Sequence, residues 1–309
     1  MIPAVSLMPS HLGVLVGFAC NIKCKHCCTA HMDPGYKLTA GEIRAITQTI
    51  NKFRLSELAF VGGEPTLYIK EINLMLASVE RLARTKVILT TNGNFAVTEA
   101  AALEVLDSFD KLTKVHMSYD KFHGEFVNTG AVKNLYQACL KRDIDFDVLF
   151  AVQDPADLHL VQVLRKLGDF KIGVQSILPM GRAKKNALGY DYLSFDKRVL
   201  SKRCPSKGRL MYVAGKGFTT CCSSLMFNGS AAKLCYPTPE RLMASDFYKL
   251  AASVPFRRWP KMLNIPKPDY TPAQSAECSL CESLIERYEK KMHPDKKNGN
   301  SRDIQSRQA

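Results

Sequence analysis

Short apolar runs alternate with longer amphipathic stretches between residue 13 and about residue 178, and this alternation constrains the fold more than any other feature. Runs rich in Val, Ile, Leu and Phe are typical of buried parallel strands, and they lie at 13–18, 58–61, 86–91, 114–118, 146–152 and 170–177. The amphipathic stretches predict helices at about 39–53, 69–84, 98–108, 130–142 and 155–167. Because parallel strands need crossover connections, the pattern predicts an α/β fold, either an incomplete barrel or an open doubly wound sheet.

Local signals support three of these helices. Thr39 followed by Glu42 is a capping-box pattern, and Thr98 is a suitable N-cap for the third helix. Pro155 suits the first turn of the fifth helix, where its missing N–H costs nothing.

Unusual short segments follow five of the predicted strands. They are CNIKCKHC (20–27), GGEP (62–65), TNGN (91–94), SYDKFH (118–123) and PMGRA (179–183). In a barrel and in an open α/β sheet alike, the active site lies at the carboxyl ends of the strands. We therefore expect these segments to meet in one site.

Composition limits the compartment. The 309 residues include 46% hydrophobic residues, enough for one large domain and a smaller one, but no run approaches the roughly 20 apolar residues of a membrane span. The first residues resemble no secretory signal, so we expect a cytoplasmic protein without a membrane partner. In that compartment, eleven cysteines indicate metal binding or redox chemistry rather than disulfides.

The first cysteine group has the spacing C-x3-C-x2-C, formed by Cys20, Cys24 and Cys27. Three thiolates on one loop can bind three corners of an iron–sulfur cubane and leave the fourth iron open to a small chelating molecule. A zinc site completed by His26 or His31 is compatible with the spacing as well. Cys28 breaks the spacing and is interpreted as a neighbour of the ligands.

Residues 13 to about 182 resemble the radical S-adenosylmethionine (SAM) superfamily. The cysteine loop matches that family's C-x3-C-x-Φ-C signature, with His26 at the aromatic position, and Gly62-Gly63-Glu64-Pro65 matches its motif after the second strand. The resemblance implies a partial (β/α)6 TIM-like barrel, assigned here to residues 1–185. It also implies a SAM-binding [4Fe–4S] cluster, with the Gly62–Pro65 segment holding the amino group of SAM.

Further correspondences with the family are individually weaker. Asn92 lies in the Thr-Asn-Gly that ends the third strand, although Asn-Gly is also a common turn. Ser118 and Asp120 resemble positions that contact the SAM ribose or the substrate, and Arg182 resembles an element near the adenosine. Solvated loop residues are the alternative for Ser118 and Asp120. His123 is either an acid or base of the site or a surface histidine.

The second cysteine group resembles the SPASM and twitch extensions of the family. The resemblance implies an auxiliary [4Fe–4S] cluster with Cys204, Cys222, Cys278 and Cys281 as its ligands. Cys221 could replace Cys222, and a structural zinc site is the alternative. This small cysteine-rich C-terminal domain is expected over 186–289, followed by a disordered tail at 290–309. Cys28 and Cys235 are interpreted as buried thiols, with donation of a hydrogen atom or binding of the substrate as the alternatives, and Cys139 as a core residue.

The family chemistry implies reductive cleavage of SAM to a 5′-deoxyadenosyl radical that takes hydrogen from a substrate. Auxiliary clusters favour a peptide or protein substrate, and the expected reductant is flavodoxin or ferredoxin. Twelve residues before the first strand leave no room for a leader-recognition domain, so a separate recognition protein or the basic 182–216 segment would have to bind the peptide. That segment has ten Lys or Arg against two Asp and could bind an acidic peptide, a nucleotide or RNA, so radical SAM modification of a nucleotide or RNA is the alternative function. A non-catalytic iron–sulfur or zinc protein is the alternative from another class.

Overall fold

The computed structural model describes residues 8–227 and 234–292, and these form one eight-stranded sheet. The strands are β1 (His11–Leu15), β2 (Glu57–Val61), β3 (Lys86–Thr91), β4 (Lys114–Ser118), β5 (Asp145–Val152), β6 (Lys171–Ser176), β7 (Arg209–Val213) and β8 (Gly217–Thr219). Their order is β6-β5-β4-β3-β2-β1-β7-β8, and every neighbouring pair is parallel except β7–β8.

The α-helices of the barrel part are α1 (Ala40–Phe53), α2 (Ile69–Ala77), α3 (Glu99–Asp107), α4 (Thr129–Lys141), α5 (His159–Arg165) and α6 (Arg182–Lys185). Those of the C-terminal part are α7 (Ser224–Phe227), α8 (Pro239–Ala244), α9 (Asp246–Ser253), α10 (Trp259–Met262) and α11 (Glu277–Met292). None of these helices is long and apolar enough to cross a membrane.

The strand order decides between the two predicted architectures. From β1 to β6 each strand lies beside its predecessor and the sheet grows in one direction, whereas a doubly wound sheet reverses direction at its first strand. The expected partial (β/α)6 TIM-like barrel is confirmed, and its sheet remains open. The sheet is longer than expected, because the hairpin of β7 and β8 adds to the free edge of β1.

The predicted helix caps are confirmed, while two helices are shorter than predicted. Thr39 and Glu42 form a capping box, and Thr98 Oγ1 accepts from the Ala101 N–H. The helix predicted over 69–84 ends at Ala77 with Ser78 as its C-cap, and Leu82–Arg84 form a separate 3-10 turn. The helix predicted over 155–167 opens with a 3-10 turn and is α-helical only over His159–Arg165.

The core lies between the sheet and its helices. Val14 of β1, Phe60 of β2 and Val148 of β5 are fully buried, and so is Cys139 of α4, which confirms its predicted place in the core. Parallel strands covered in this way carry continuous apolar runs, which is why these runs were visible in the sequence.

The Glu42 carboxylate connects the C-terminal hairpin to the barrel. One of its oxygens accepts hydrogen bonds from Tyr212 Oη (3.0 Å) and from the Gly215 N–H (2.8 Å). The other accepts from Tyr36 Oη and from the Thr39 N–H, both at 2.8 Å. These bonds outweigh the opposing effect of burial and lower the pKa of Glu42. The predicted domain boundaries at 185 and 289 stay predictions, and most of the predicted tail at 290–309 lies outside the described residues.

Candidate functional site: two groups of cysteines

The loop after β1 carries the first cysteines, and the chain that leads into it packs against the segment after β2. The Gly63 N–H donates to the Gly17 carbonyl (2.9 Å), and the Glu64 N–H donates to the Ala19 carbonyl (2.8 Å). A Cβ atom on Gly62 would lie 2.4 Å from the Gly17 oxygen, and one on Gly63 would lie 2.0 Å from the Ala19 oxygen. The two glycines are therefore required for the backbone of the GGEP segment to pack against the chain that leads into the cysteine loop.

The buried Glu64 side chain forms hydrogen bonds that connect the end of β2 to the end of β3. Its side chain is fully buried, and its Oε1 accepts hydrogen bonds from Thr91 Oγ1 (2.7 Å) and from the N–H and hydroxyl of Thr66 (3.1 and 2.8 Å). Its Oε2 accepts from the Asn92 N–H at 2.9 Å. Burial raises the pKa of Glu64 despite these donors. The carboxylate thus fixes the geometry of the strand ends, with Pro65 starting a 3-10 turn behind it.

Asn92 extends this connection to the first cysteine. Its Nδ2 donates to Asn21 Oδ1 at 2.8 Å and lies 3.6 Å from Cys20 Sγ, while its Oδ1 accepts from the Asn94 N–H. An amide N–H beside a sulfur stabilises the thiolate form, which is the form that binds metals. The TNGN segment therefore contacts the cysteine loop directly.

The three predicted cluster cysteines lie near one another but differ in exposure. Cys20 is exposed, Cys27 is half-buried and Cys24 is buried. Burial, followed by the charges of Cys27 and Asp120, raises the pKa of Cys24 to about 12. Among the described residues, only His26, Asp120 and His123 bring three possible ligand atoms within 4.8 Å of one another.

The segment after β6 is hydrogen-bonded to the backbone of the cysteine loop. Arg182 Nη1 donates to the Cys24 carbonyl (2.9 Å), and the Arg182 N–H donates to the Cys27 carbonyl (2.8 Å). Asn186 Nδ2 donates to the Lys25 carbonyl at 2.8 Å. Gly181 has a φ of +56°, and a Cβ there would lie 2.4 Å from the Cys28 oxygen, so glycine is required. Arg182, expected near the adenosine, thus has direct bonds to the loop's backbone.

Asp120, after β4, lies between two imidazole rings. The carboxylate is buried; it accepts from the N–H groups of Phe122 (2.9 Å) and His123 (3.1 Å). Its Oδ2 is 3.4 Å from His26 Nε2, and its Oδ1 is 3.0 Å from His123 Nδ1. Burial opposes ionisation, but the hydrogen bonding and positive charge of His123 lower the pKa of Asp120. Ser118 is half-buried at the end of β4. His123 is a buried partner of Asp120 rather than a surface histidine.

The second group of cysteines is assembled from three separate segments. One cavity is lined by Cys204, by Cys221 and Cys222, and by Cys278 and Cys281. Its remaining walls combine apolar side chains, among them Leu225, Phe247 and Phe256, with the polar residues Ser206, Ser223 and Glu277.

Burial is the main cause of the raised pKa values of the cysteines in this cavity. It raises the pKa of Cys204 to about 11 and the pKa values of Cys221 and Cys278 to about 12. It also raises the pKa of Cys281 well above the usual range. Cys222 is exposed, and its Sγ lies 3.0 Å from Ser206 Oγ. Thiols with such pKa values become metal ligands by releasing protons to the solvent as a cation binds.

The other two cysteines have different surroundings. Cys28 is affected by the charges of Cys27 and Cys222, so it lies between the two groups. Burial is the main cause that raises its pKa to about 12. Cys235 lies outside the cavity, with its Sγ 3.7 Å from Met226 Sδ.

Sequence reasoning missed several contacts of the site. It did not find the pairing of Asn92 with Asn21, the bonds of Arg182 to the loop, or Ser206 beside Cys222. These contacts join residues far apart in the chain, and the spacing of residues along the sequence does not predict them. The proximity of His26 to Asp120 could have been expected, since both follow strands of one sheet.

Comparison with known proteins adds three findings. YydG of Bacillus subtilis (strain 168), whose name assigns it to peptide biosynthesis, is 26% identical over 226 residues, covering 67% of this chain and 67% of YydG. The pre-heme d1 synthase of Dinoroseobacter shibae (strain DSM 16493 / NCIMB 14021 / DFL 12) is 27% identical over 177 residues, covering 54% of this chain and 43% of that enzyme. The structure of SuiB from Streptococcus suis, bound to its precursor peptide SuiA, has a TM-score of 0.46 and 15% identity, covering 81% of this chain and 66% of SuiB.

The family model of the radical SAM superfamily matches residues 14–148. That range contains the cysteine loop, the GGEP and TNGN segments and the Asp120 cluster, all of which follow neighbouring parallel strands. The motif and its strand context agree with the family match, and residues 14–148 of the chain are a radical SAM domain.

Proposed function

We propose that Cys20, Cys24 and Cys27 bind the [4Fe–4S] cluster of this enzyme and that the enzyme modifies a peptide or protein. The observation that carries the first part is the hydrogen-bonded packing of the cysteine loop against Gly62–Pro65 at one edge of the sheet. Three thiols at that edge suit a cluster with one open iron. When bound, the reduced cluster supplies the electron that cleaves SAM into methionine and a 5′-deoxyadenosyl radical, which takes hydrogen from the substrate.

The chain's own groups position the cofactors. In our proposal Gly62, Gly63 and Pro65 present main-chain groups to SAM, and Glu64 keeps that segment in place through Thr91 and Asn92. The Asn92 amide beside Cys20 favours the thiolate.

Ser118 and Asp120 are proposed on the SAM side of the β4 loop. Asp120 orients the rings of His26 and His123 there. We propose Arg182 as a cofactor-site residue that acts by holding the carbonyls of the cysteine loop.

We also propose that Cys204, Cys222, Cys278 and Cys281 bind an auxiliary [4Fe–4S] cluster in a SPASM- or twitch-like part of the chain at 186–289. Support comes from the cavity, which brings all four residues together with Cys221 as the alternative to Cys222. Apolar walls keep solvent away from a bound cluster and therefore suit one that transfers electrons. A zinc site with the same four thiolates is the competing assignment, and metal analysis separates the two.

The peptide substrate rests on YydG, whose name places it in peptide biosynthesis. The other curated relative is named for heme d1 synthesis, and its match covers less than half of that enzyme. A flavodoxin or ferredoxin as reductant, a separate leader-recognition protein and a cytoplasmic location remain predictions that accompany this proposal.

Anaerobic reconstitution tests the proposal directly. The full chain is reconstituted with iron and sulfide, reduced with dithionite and given SAM, and 5′-deoxyadenosine is quantified. We expect about eight irons per chain, four for each proposed cluster, and 5′-deoxyadenosine formation that rises when a substrate peptide is added. An intact, reduced cluster without 5′-deoxyadenosine would refute the assignment of the first cysteines. About four irons together with one zinc would replace the auxiliary cluster by a zinc site.

A further inference from the structure

Exposed lysines follow the carboxyl ends of two strands of the sheet. Lys25 of the cysteine loop pairs with Glu125 (2.7 Å), and the half-buried Lys121 after β4 pairs with Asp157 (2.9 Å). Lys184 and Lys185 follow β6, Lys216 follows β7, and all three are exposed. Within the described part of the chain these three lysines, called here the basic rim, form no ion pair at 4.0 Å or less.

Hydrogen bonds fix the basic rim beside the cysteine loop. Lys184 and Lys185 belong to α6, whose first residue, Arg182, is bonded to the carbonyls of Cys24 and Cys27. Lys216 lies in the turn between β7 and β8, and the Gly215 N–H next to it donates to Glu42. The three charges are therefore carried by segments that cannot easily move apart.

His31 shows that the rim charges converge. This histidine follows the cysteine loop, and burial together with the charges of Lys216 and Lys185 lowers its pKa. Both lysines, from segments thirty residues apart, thus act on one imidazole that is itself close in sequence to Cys27. Like charges held together without counter-ions are unfavourable in the free protein, so a ligand with carboxylates gains from binding there.

We propose that the basic rim binds an acidic segment of the peptide substrate and so places the neighbouring residue of that peptide over the barrel mouth. This inference rests on the proposed peptide function and names its recognition element. A single-stranded nucleic acid fits less well, because such ligands stack on exposed aromatic rings. Among the described residues Phe126 is the one exposed Phe, Tyr or Trp, and it belongs to the loop after β4 and not to the segments that carry the rim lysines.

The test uses the full, reconstituted enzyme and a fluorescein-labelled octaglutamate peptide, with an uncharged Gly-Ser peptide and octauridylate as comparison probes. The rim variant is Lys184→Glu/Lys185→Glu/Lys216→Glu. The control variant is Lys86→Glu/Lys166→Glu/Lys171→Glu, which changes the net charge equally at exposed positions beside the opposite end of the sheet. Binding is followed by fluorescence anisotropy at several salt concentrations, and 5′-deoxyadenosine formation without peptide is measured in parallel.

We expect the rim variant to bind octaglutamate at least about tenfold more weakly and with a smaller salt dependence, while the control variant changes by less than about twofold. Equal weakening in both variants would overturn the proposal, because it would reflect net charge alone. Octauridylate binding tighter than octaglutamate, and lost in the rim variant, would replace the peptide by a nucleic acid. SAM cleavage that is absent even in the unmodified enzyme would count against the proposed function and not against the rim.

Discussion

The two groups of cysteines are built in opposite ways. The first lies on one continuous loop, 20–28, and is held by backbone bonds from the segments after β2 and β6. The second is gathered from residues 204, 221–222 and 278–281, which meet only in the folded chain. A contiguous loop can leave one coordination position free, whereas a cavity closed by several segments favours a complete set of ligands.

The surroundings of the two groups differ as well. Each group has one exposed cysteine, Cys20 and Cys222, but the second group lines a cavity in which Cys278 and Cys281 are partly or fully buried beside apolar side chains. The first group of cysteines is thus accessible to a small molecule, and the second is suited to a bound cofactor that stays in place. This difference predicts that loss of the first cluster stops SAM cleavage and that loss of the second does not.

The largest effect is expected from Cys24→Ala. Removing this ligand should release about four irons per chain and reduce 5′-deoxyadenosine to the background level, because SAM then has no open iron to bind. Iron analysis and chromatographic assay of 5′-deoxyadenosine measure both quantities. Cys139→Ala is the control, since Cys139 is a buried cysteine outside both groups and should leave the iron content unchanged. Full SAM cleavage by the Cys24 variant would make the first assignment wrong.

Cys278→Ala tests the other half of the comparison. This variant should also lose about four irons, yet 5′-deoxyadenosine formation without peptide should stay within about twofold of the unmodified enzyme while peptide product falls. Cys235→Ala serves as a matched control, because Cys235 belongs to the same part of the chain but lies outside the cavity. If the Cys278 variant lost SAM cleavage in proportion to iron, the two groups would not be independent sites.

Glu64→Gln tests the support of the first group. Four hydrogen-bond donors converge on the buried Glu64 carboxylate, and an amide nitrogen in place of one oxygen would face a donor. We expect the free energy of unfolding to fall by about 1–3 kcal/mol, the typical cost of a buried polar group left without its partner. Denaturant unfolding of the metal-free chain measures it. Unchanged stability together with lost SAM binding would show instead that the carboxylate contacts SAM.

The same contrast explains how much could be predicted from the sequence. The barrel strands were visible because buried parallel strands are continuous apolar runs, and Lys86–Thr91 and Lys114–Ser118 have the predicted bounds. The first group of cysteines could be predicted because its three residues lie on one loop. The addition of β7 to the edge of β1 was not visible, since a strand of five residues carries no signal for its partner. The contacts of Arg182 and Asp120 depend on packing between loops, which spacing along the chain does not encode.

The smallest effect, and the one that most sharpens the comparison, is expected from Arg182→Ala. Loss of the guanidinium removes one hydrogen bond to the Cys24 carbonyl and leaves the backbone bond to Cys27 intact. A hydrogen bond of about 1 kcal/mol corresponds to about a fivefold change, so iron of the first cluster should be released about fivefold faster to a chelator. Asn186→Ala, which removes a bond to the same loop, should act in the same direction. If iron release is unchanged and the KM for SAM rises more than about tenfold, Arg182 contacts SAM itself, and the loop of the first group owes its rigidity to the packing of Gly62 and Gly63.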